Sequence, residues 1–403
     1  MTRQEPLTLL AIASYEKGHA FLRQAKAEGA RVFLLTSLSL KDTARWPRES
    51  LDDVFYMPDE AKVWNLEDTL KAVSYLARTQ RIDRIVALDD FDLEKAATLR
   101  EHLRLPGLGE SATRFFRDKL AMRMGAAAAG IAVPEFIHVL HHGRLAEFLE
   151  SVPGPWVLKP RSSAGAMGIR KISDPGELWA ALEQLGDEQS HYLLERYVPG
   201  DIFHVDTIVH EGTIRFAIAS GYGRPPMDVA HGGGVFTTRV LERGSETEQG
   251  LLALNEKVLS ALGLRNGVSH TEYIRAQDGR LYFLETSARV GGAHIAELVE
   301  AATGLNLWAE WARVELASGG SYSLPALRND YAGLLVSLAR QEHPDTSAYT
   351  EPEIVWRIDK PNHVGFIVQS PSAQRVEELL HGLTGRVMRD FWAYAPPRER
   401  PTE

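Results

Sequence analysis

The first hundred residues alternate short apolar runs with longer segments whose apolar positions recur every three or four residues. The short runs predict buried strands and the periodic segments predict helices. The predicted strands are 7–13, 31–36 and 82–88, and the predicted helices are 19–28, 66–78 and 91–103. Strands separated by helices are typical of a doubly wound parallel sheet. The pattern therefore predicts a Rossmann-like α/β domain over residues 1–108.

The middle of the chain has a different pattern, with a long helical segment followed by many short strands. We predict one helix over 111–129, capped by Ser111, and a strand-rich region over 155–220. Further helices are predicted at 175–185, 246–262 and 294–303. This order favours an antiparallel α+β domain over 109–324, which divides into a smaller part, 109–200, and a larger part, 201–324. Residues 325–403 are predicted to form a small α+β subdomain with a disordered tail from 396.

Composition narrows the class of protein. The 403 residues carry a net charge of −9, which argues against a broad nucleic-acid surface. The absence of cysteine excludes disulfides, thiolate catalysis and cysteine-based zinc sites. The apolar runs are too short to span a bilayer, and the start lacks a secretory-signal pattern, so we expect a cytoplasmic protein without a membrane partner.

Two turns in the N-terminal third lie where a site could form. The first strand-to-helix turn, 13–18, lacks the Gly-x-Gly-x-x-Gly fingerprint, so a dinucleotide site is not expected there. Asp89 and Asp90 follow a strand, where a functional crevice can form. Capping of the next helix is the favoured interpretation of this acidic pair.

The segment 281–292 is the most informative for chemistry. Alternation places Glu285, Ser287 and Arg289 on one face of an extended strand, and Glu272 lies on a preceding strand joined by an Asp-Gly turn. Two carboxylates on adjacent strands suit Mg²⁺ bridged to nucleotide phosphates. The alternative is a surface hairpin with solvated charges.

A lysine and a loop of small residues form a second motif. Lys159 ends an apolar strand and is followed by the loop 162–168, which contains Ser162, Ser163, Gly165 and Gly168. Such a loop lets backbone N–H groups approach phosphate oxygens. The order differs from a Walker A motif, in which the lysine follows the loop. A flexible hairpin with a strand-end lysine is the alternative.

Three further positions could contribute to the same site. Lys119 gains significance only as a second cation beside Lys159. Glu195, at the end of an apolar strand that breaks at Pro199-Gly200, could accept from an adenine amino group, although an ordinary strand end is the alternative. The glycine run after His231 indicates a loop close to a ligand, because consecutive glycines are costly in backbone entropy. An idle surface loop remains the alternative for that run.

Taken in order, these segments resemble the ATP-grasp superfamily, and within it the carboxylate–amine ligases related to biotin carboxylase and bacterial L-amino-acid ligases. The resemblance covers about residues 105–305. It depends on the following segments: Asp118-Lys119, Val157-Leu158-Lys159-Pro160 with its loop, Glu195-Arg196-Tyr197-Val198-Pro199-Gly200, Glu272, and Glu285-x-Ser287-x-Arg289-x-Gly291-Gly292.

The resemblance implies a role for each of these positions. Lys119 and Lys159 would contact ATP phosphates, and the loop 162–168 would close over them. Glu195 would line the adenine together with Tyr197 and the backbone of Arg196 and Val198. Glu272, Glu285 and Ser287 would hold Mg²⁺, for which Mn²⁺ could substitute. Arg289 would bind an acyl phosphate or a substrate carboxylate, and His231 would lie near the phosphates.

The implied activity is ATP-dependent ligation of a carboxylate to an amine through an acyl phosphate, with amino acids as expected substrates and a homodimer as the expected assembly. Two departures from the family pattern are Ser287, where asparagine is usual, and Ile202, where many members place a ribose-facing acid. A carboxylating enzyme like biotin carboxylase, a purine-pathway ATP-grasp enzyme and a non-catalytic ATP-binding regulatory protein are the alternatives. A Rossmann dehydrogenase is remote without the glycine fingerprint.

Overall fold

The computed structural model describes residues 6–163, 167–317 and 319–395, and of residues 230 and 231 it describes only the backbone. The described strands form three sheets. The strands are β1 Thr8–Ala13, β2 Arg31–Ser37, β3 Asp53–Met57, β4 Arg84–Ala87, β5 Phe136–His138, β6 Trp156–Pro160, β7 Arg170–Ile172, β8 Tyr192–Arg196, β9 Gly200–His210, β10 Thr213–Tyr222, β11 Phe236–Val240, β12 Gly267–Ala276, β13 Leu281–Ser287, β14 Tyr331–Leu338, β15 Ile354–Arg357 and β16 His363–Ser370. The helices are α1 His19–Ala27, α2 Leu66–Leu76, α3 Leu93–Leu103, α4 Glu110–Thr113, α5 Lys119–Ala128, α6 His142–Ser151, α7 Pro175–Leu185, α8 Pro226–Gly232, α9 Glu246–Leu262, α10 Ile295–Thr303, α11 Leu307–Leu316 and α12 Ala373–Asp390.

The N-terminal sheet is parallel, with strand order β3-β2-β1-β4. Its central strand β1 is buried along its whole length, as a strand covered by helices on both faces must be. The predicted parallel sheet is therefore confirmed. The edge strand β3 was not predicted, because its residues are mostly half-exposed and lack a continuous apolar run.

The helix predicted over 111–129 is wrong in its continuity. The chain forms the short helix α4, a 3₁₀ turn at Arg114–Phe116 and then α5. Asp118 is extended, and its carboxylate accepts hydrogen bonds from the backbone N–H groups of Leu120 and Ala121. This capping competes with helix continuation, so Asp118, rather than Ser111, begins the helix that carries Lys119.

A four-stranded antiparallel sheet, which we call the small sheet, has the order β5-β8-β6-β7. Helices α6 and α7 pack on it around a core that includes Trp156, Leu158 and Leu178. Lys159 near the end of β6 and Glu195 on β8 are thereby brought onto neighbouring strands.

The largest sheet, which we call the large sheet, has eight strands in the order β13-β12-β9-β10-β11-β14-β16-β15. Its last three strands come from the region 325–403, so this region continues the large sheet rather than forming a sheet of its own. The domain boundaries themselves remain predictions. The predicted disordered tail from 396 lies outside the described residues.

Helices α10 and α11 connect the large sheet to the N-terminal sheet through one continuous core. Phe21 on α1 and Trp311 on α11 meet edge to face with ring centroids 5.2 Å apart. This packing places the end of β4 beside the end of β13. Along the described ranges, no helix combines the length and apolar character needed to cross a membrane.

Candidate active site

A cavity of about 350 Å³ lies between the small and large sheets. One end is mostly apolar and is lined by Val157, Ile169, Val198, Ile202 and Ile274. The other end, which we call the charged end, carries ionisable side chains. These are His270, Glu272, Glu285 and Arg289.

A buried ion cluster lies on the small-sheet side of this cavity. The Lys159 ammonium is 2.6 Å from Glu195 Oε2, and Arg123 Nε on α5 is 2.7 Å from Glu195 Oε1. Burial lowers the pKa of Lys159 below its ordinary value, although Glu195 opposes that shift. Burial acts to raise the pKa of Glu195, but Arg123 and Lys159 hold it below its ordinary value. The cluster fixes the lysine at the wall of the cavity.

This cluster bears on the expected adenine contact of Glu195. Both oxygens of its carboxylate face cations, so only the remaining lone pairs could accept from a base. Arg196, Tyr197 and Val198 line the same cavity, as expected for a segment that borders a nucleotide. The adenine role of this segment stays a prediction.

Lys119 approaches the charged end from α5. Its ammonium donates to the backbone oxygen of Ser163, 2.7 Å away, and lies 3.0 Å from Glu285 Oε2. The loop after Lys159 is thus tied to the first turn of α5. Gly168 has a φ of +71° and a Cβ there would come within 2.8 Å of Pro160, so the residue must be glycine in this tight turn. Of the other loop residues, Ser162 is described as part of the turn, and Gly165 lies outside the described residues.

The two acids expected to hold a metal are partners across adjacent strands. Glu272 on β12 is directly opposite Glu285 on β13, so their side chains share one face of the sheet. Tyr222 donates a 2.8 Å hydrogen bond to Glu272 Oε1, and His270 Nε2 lies 3.7 Å from the same oxygen. Burial acts to raise the pKa of Glu272, but His270 and Tyr222 hold it below its ordinary value. The two carboxylates therefore line the cavity from the same face of the large sheet.

A fully buried network lies beneath Glu272. The carboxylate of Asp206 is 2.7 Å from His204 Nδ1 and 2.9 Å from His270 Nδ1. His204 Nε2 is in turn 2.8 Å from the hydroxyl of Thr238. Burial acts to lower the pKa of His270, but Asp206 overcomes it and raises the pKa to about 9. The network fixes the ring of His270 with Nε2 turned towards Glu272.

Arg289 is held by a residue of the N-terminal sheet. Arg289 Nε lies 2.8 Å from Asp90 Oδ2, and Nη2 donates to the same oxygen. Ser287 Oγ donates to Asp90 Oδ1. Burial acts to raise the pKa of Asp90, but Arg289 and Ser287 hold it below its ordinary value. The hydroxyl group of Ser287 therefore donates its proton to Asp90. The predicted role of Ser287 as a metal ligand stays a prediction.

The structure brings together most of the expected side chains at one cavity. The cavity is lined by Lys159, Glu195, Glu272, Glu285 and Arg289. A small adjoining cavity, which shares Glu285 and Arg289, is lined by Lys119 and Ser287. His231 lies in α8, whose preceding residues Pro226, Met227 and Asp228 line the cavity, and only its backbone is described.

Several residues of the site were not expected from the sequence. Arg123 contacts Glu195 and Tyr222 contacts Glu272, in each case across a long stretch of chain. Asp206 contacts His270, which was itself not expected in the site. Asp89 was expected as a cap, and it does accept from the N–H of Phe91. Its neighbour Asp90 instead reaches the charged end. The acidic pair after β4 was the only sequence signal for this contact.

A second cavity, of about 400 Å³, lies beside β1 and α11. Its charged lining residues Glu28 and Arg313 pair with each other at 3.1 Å. The paired acids and the cations therefore identify the cavity between the sheets as the candidate active site.

Comparison with known proteins agrees with this geometry. Residues 152–297 match the family model of the ATP-grasp domain. An L-arginine-specific L-amino acid ligase from Bacillus subtilis is 26% identical over 233 residues, which are 56% of this chain and 56% of that protein. A D-alanine–D-alanine ligase from Dechloromonas aromatica is 23% identical over 47% of this chain and 63% of its own length. The chain thus spans somewhat more than half the length of these relatives.

The likeness to solved structures extends over nearly the whole chain. The L-amino acid ligase from Bacillus licheniformis aligns with a TM-score of 0.77 and 19% identity, over 97% of this chain and 100% of that chain. Carboxyaminoimidazole ribonucleotide synthase from Aspergillus clavatus, complexed with ATP, aligns with a TM-score of 0.73 and 16% identity, over 96% and 99%. These likenesses show a shared fold.

Proposed function

We propose that this chain, which has the ATP-grasp fold, joins a carboxylate to an amine at the expense of ATP and releases ADP and phosphate. The carrying observation is the convergence of two acids, Glu272 and Glu285, with the cations Lys159 and Arg289 at one cavity, where Lys119 reaches Glu285 from α5. The named activities of the L-amino acid ligase and D-alanine–D-alanine ligase relatives support this reaction type.

ATP would lie along the cavity with its base at the apolar end. Val157, Ile169 and Val198 offer an apolar slot for a flat ring. Lys159 and Lys119 would contact the phosphates, and the ion pairs with Glu195 and Glu285 that hold their ammonium groups support this role. Charge neutralisation and positioning are the main needs of phosphoryl transfer.

Mg²⁺ fits the donor set of Glu272 and Glu285. Hard carboxylate oxygens on neighbouring strands are the ligands this ion prefers, and the low pKa of Glu272 keeps its oxygens available. A bound divalent ion supplies charge stabilisation to the transferring phosphoryl group. Tyr222 and His270 orient the Glu272 carboxylate from its other side.

The reaction would proceed in two displacements. A substrate carboxylate oxygen attacks the γ-phosphorus, the bond to the β,γ-bridging oxygen breaks, and ADP leaves an acyl phosphate behind. The amine nitrogen then attacks the acyl carbon, the carbon–oxygen bond breaks, and phosphate leaves as the nitrogen loses a proton. Arg289 would hold the anionic group at the acyl centre. Closure of the loop after Lys159 would exclude water, which otherwise hydrolyses the acyl phosphate.

Amino acids are the proposed substrates. Beyond the acid pair, the cavity wall contains Tyr222, Met227 and Phe236, so it offers apolar surface to a side chain. Asp228 on the same wall offers a carboxylate to an ammonium group. A pair of α-amino acids would give a dipeptide.

The test is a screen for ADP and phosphate release with ATP, Mg²⁺ and pairs of L-amino acids, followed by mass spectrometry of the product. We expect release that depends on both amino acids and a product mass equal to their sum less one water. Bicarbonate-dependent release without an amino acid would instead support a carboxylating enzyme. Tight binding of ATP with Mg²⁺ and no ADP across the panel would support a regulatory protein.

A further inference from the structure

The guanidinium of Arg289 has a limited number of free donors. It carries five N–H bonds. Nε and Nη2 each donate one to Asp90, and Nη1 donates one to the backbone oxygen of Val290 at 2.9 Å. Two N–H bonds, one on each terminal nitrogen, have no acceptor among the described residues. These terminal N–H bonds, which we call the remaining edge, can still donate to an oxyanion.

The acid that selects this edge comes from another part of the chain. Asp90 follows β4 of the N-terminal sheet and is separated from Arg289 by 199 positions. Its other oxygen accepts from Ser287, so both sides of the carboxylate are held by the end of β13. Only 9% of the Asp90 side chain is exposed, against 19% for Arg289, which lines the cavity.

We propose that Asp90 is the positioning residue of the active site, fixing Arg289 so that its remaining edge faces the reacting acyl group. This inference rests on the proposed function, and it assigns the N-terminal sheet a part in the chemistry. Asp90 itself contacts Arg289 and Ser287 rather than the substrate.

The neighbouring charges are consistent with this role. Arg117, whose guanidinium lies 5.1 Å from the Phe91 ring centroid, adds positive charge near Asp90 and helps to keep its pKa low. Arg117, Lys119 and Arg289 line a small adjoining cavity of about 40 Å³ together with Asp90. Asp90 thus offsets the repulsion between cations that must share one small region.

The first experiment compares Asp90→Asn with Asp89→Asn. Asparagine keeps the size of the side chain but lowers its hold on the guanidinium. We expect Asp90→Asn to lower kcat for ADP release on the order of 100-fold, because displacement of a positioned group costs about that factor, and to leave the KM for ATP unchanged. Asp89 contacts Lys17 and the Phe91 N–H instead, so Asp89→Asn should retain both parameters.

A double-mutant cycle separates positioning from general damage. In an Arg289→Lys background the fork is absent, so Asp90→Asn should have little further effect on kcat. Additive losses, or a parallel rise in the KM for ATP, would overturn the inference. If Asp90→Asn does not fold, as judged by its thermal midpoint, Asp90→Glu provides the same comparison with the charge retained.

A substrate-free measurement distinguishes failure of this inference from failure of the proposed function. Fluoroaluminate with Mg²⁺ and ADP mimics a phosphoryl group in transfer. Asp90→Asn should weaken binding of this mixture about tenfold relative to ADP alone, as expected for loss of a charged contact. If no amino-acid pair yields ADP, the proposed function fails, and equal affinities of wild type and variant would then reject the positioning role as well.

Discussion

The two walls of the cavity balance their charges in different ways. On the small-sheet wall, Lys159 and Glu195 are on neighbouring strands of one sheet, and only Arg123 comes from outside it. On the large-sheet wall, Glu285 meets Lys119 of α5, and Arg289 meets Asp90 of the N-terminal sheet. One wall is nearly self-sufficient, whereas the other is assembled from distant parts of the chain.

This difference matches the division of labour that we propose. The adenosine part of ATP, which does not change during the reaction, would lie against the self-sufficient wall. The groups that change during the reaction would lie against the assembled wall. Substitutions on the self-sufficient wall should therefore change stability and nucleotide affinity. Substitutions on the assembled wall should change turnover.

The largest effect is expected on the assembled wall. Glu285→Ala removes one of the paired acids and leaves Lys119 without its carboxylate partner. Several kcal/mol of charge stabilisation would be lost, so ADP release should fall on the order of 10³-fold. Asp278→Ala, in the exposed turn of the same hairpin, is the matched control and should keep full turnover. Full turnover in Glu285→Ala would rule out its metal role.

The second effect concerns stability on the self-sufficient wall. Glu195→Gln leaves two buried cations facing a neutral amide, so the free energy of unfolding should fall by about 3 kcal/mol in urea titrations. The control is Glu135→Gln, which breaks the exposed ion pair with Arg196 and should cost less than about 1 kcal/mol. Equal losses in the two variants would show that the buried cluster contributes no more to the free energy of unfolding than an exposed ion pair does.

The third effect tests the connection between the walls. Asp118 caps α5 and pairs with Arg161, and these contacts hold its pKa below the ordinary value of 3.8 against the opposing effect of burial. Because the folded-state pKa is lower than the unfolded one, the stabilisation is present above about pH 4 and is lost as the pH falls through the folded-state value.

Asp118→Asn keeps a capping side chain and removes the charge, so it should lower the free energy of unfolding by about 1 kcal/mol at neutral pH. The difference from wild type should narrow as the pH is lowered below about 4. Urea titrations at several pH values measure it, and a difference that stays constant with pH would contradict the ion-pair contribution.

The smallest effect is expected at the rim. Arg196 was expected to contribute through its backbone, and its side chain pairs with Glu135, 54% of which is exposed. Arg196→Ala should therefore change the KM for ATP by less than about fivefold, equivalent to 1 kcal/mol. A larger loss would mean that the guanidinium itself contacts the nucleotide.

The sequence predicted the local parts of this molecule well. The hairpin of β12 and β13 follows from alternation and its Asp-Gly turn, and the acids at 272 and 285 emerge paired on one face. Lys159 and the segment 195–198 were predicted because each belongs to a contiguous motif whose residue types indicate its chemistry. The same motifs predicted the ATP-grasp fold, which the comparisons with known proteins confirm.

The parts that were missed depend on contacts between distant segments. Asp90 has a sequence context typical of a cap, and only the docking of the N-terminal sheet reveals its partner. The break at Asp118 was missed because its neighbours favour helix until the carboxylate bonds to the backbone. The pairing of β11 with β14, which carries the last strands into the large sheet, leaves no local signal in either strand.

The contact between Asp90 and Arg289 also has a consequence for biosynthesis. Because Arg289 follows Asp90 by 199 positions, the guanidinium can be oriented only after the chain has been synthesised through β13. A nascent chain could pair β6 with β8 well before that point. The small-sheet wall should thus form before the large-sheet wall, so the complete cavity exists only after both sheets have been synthesised.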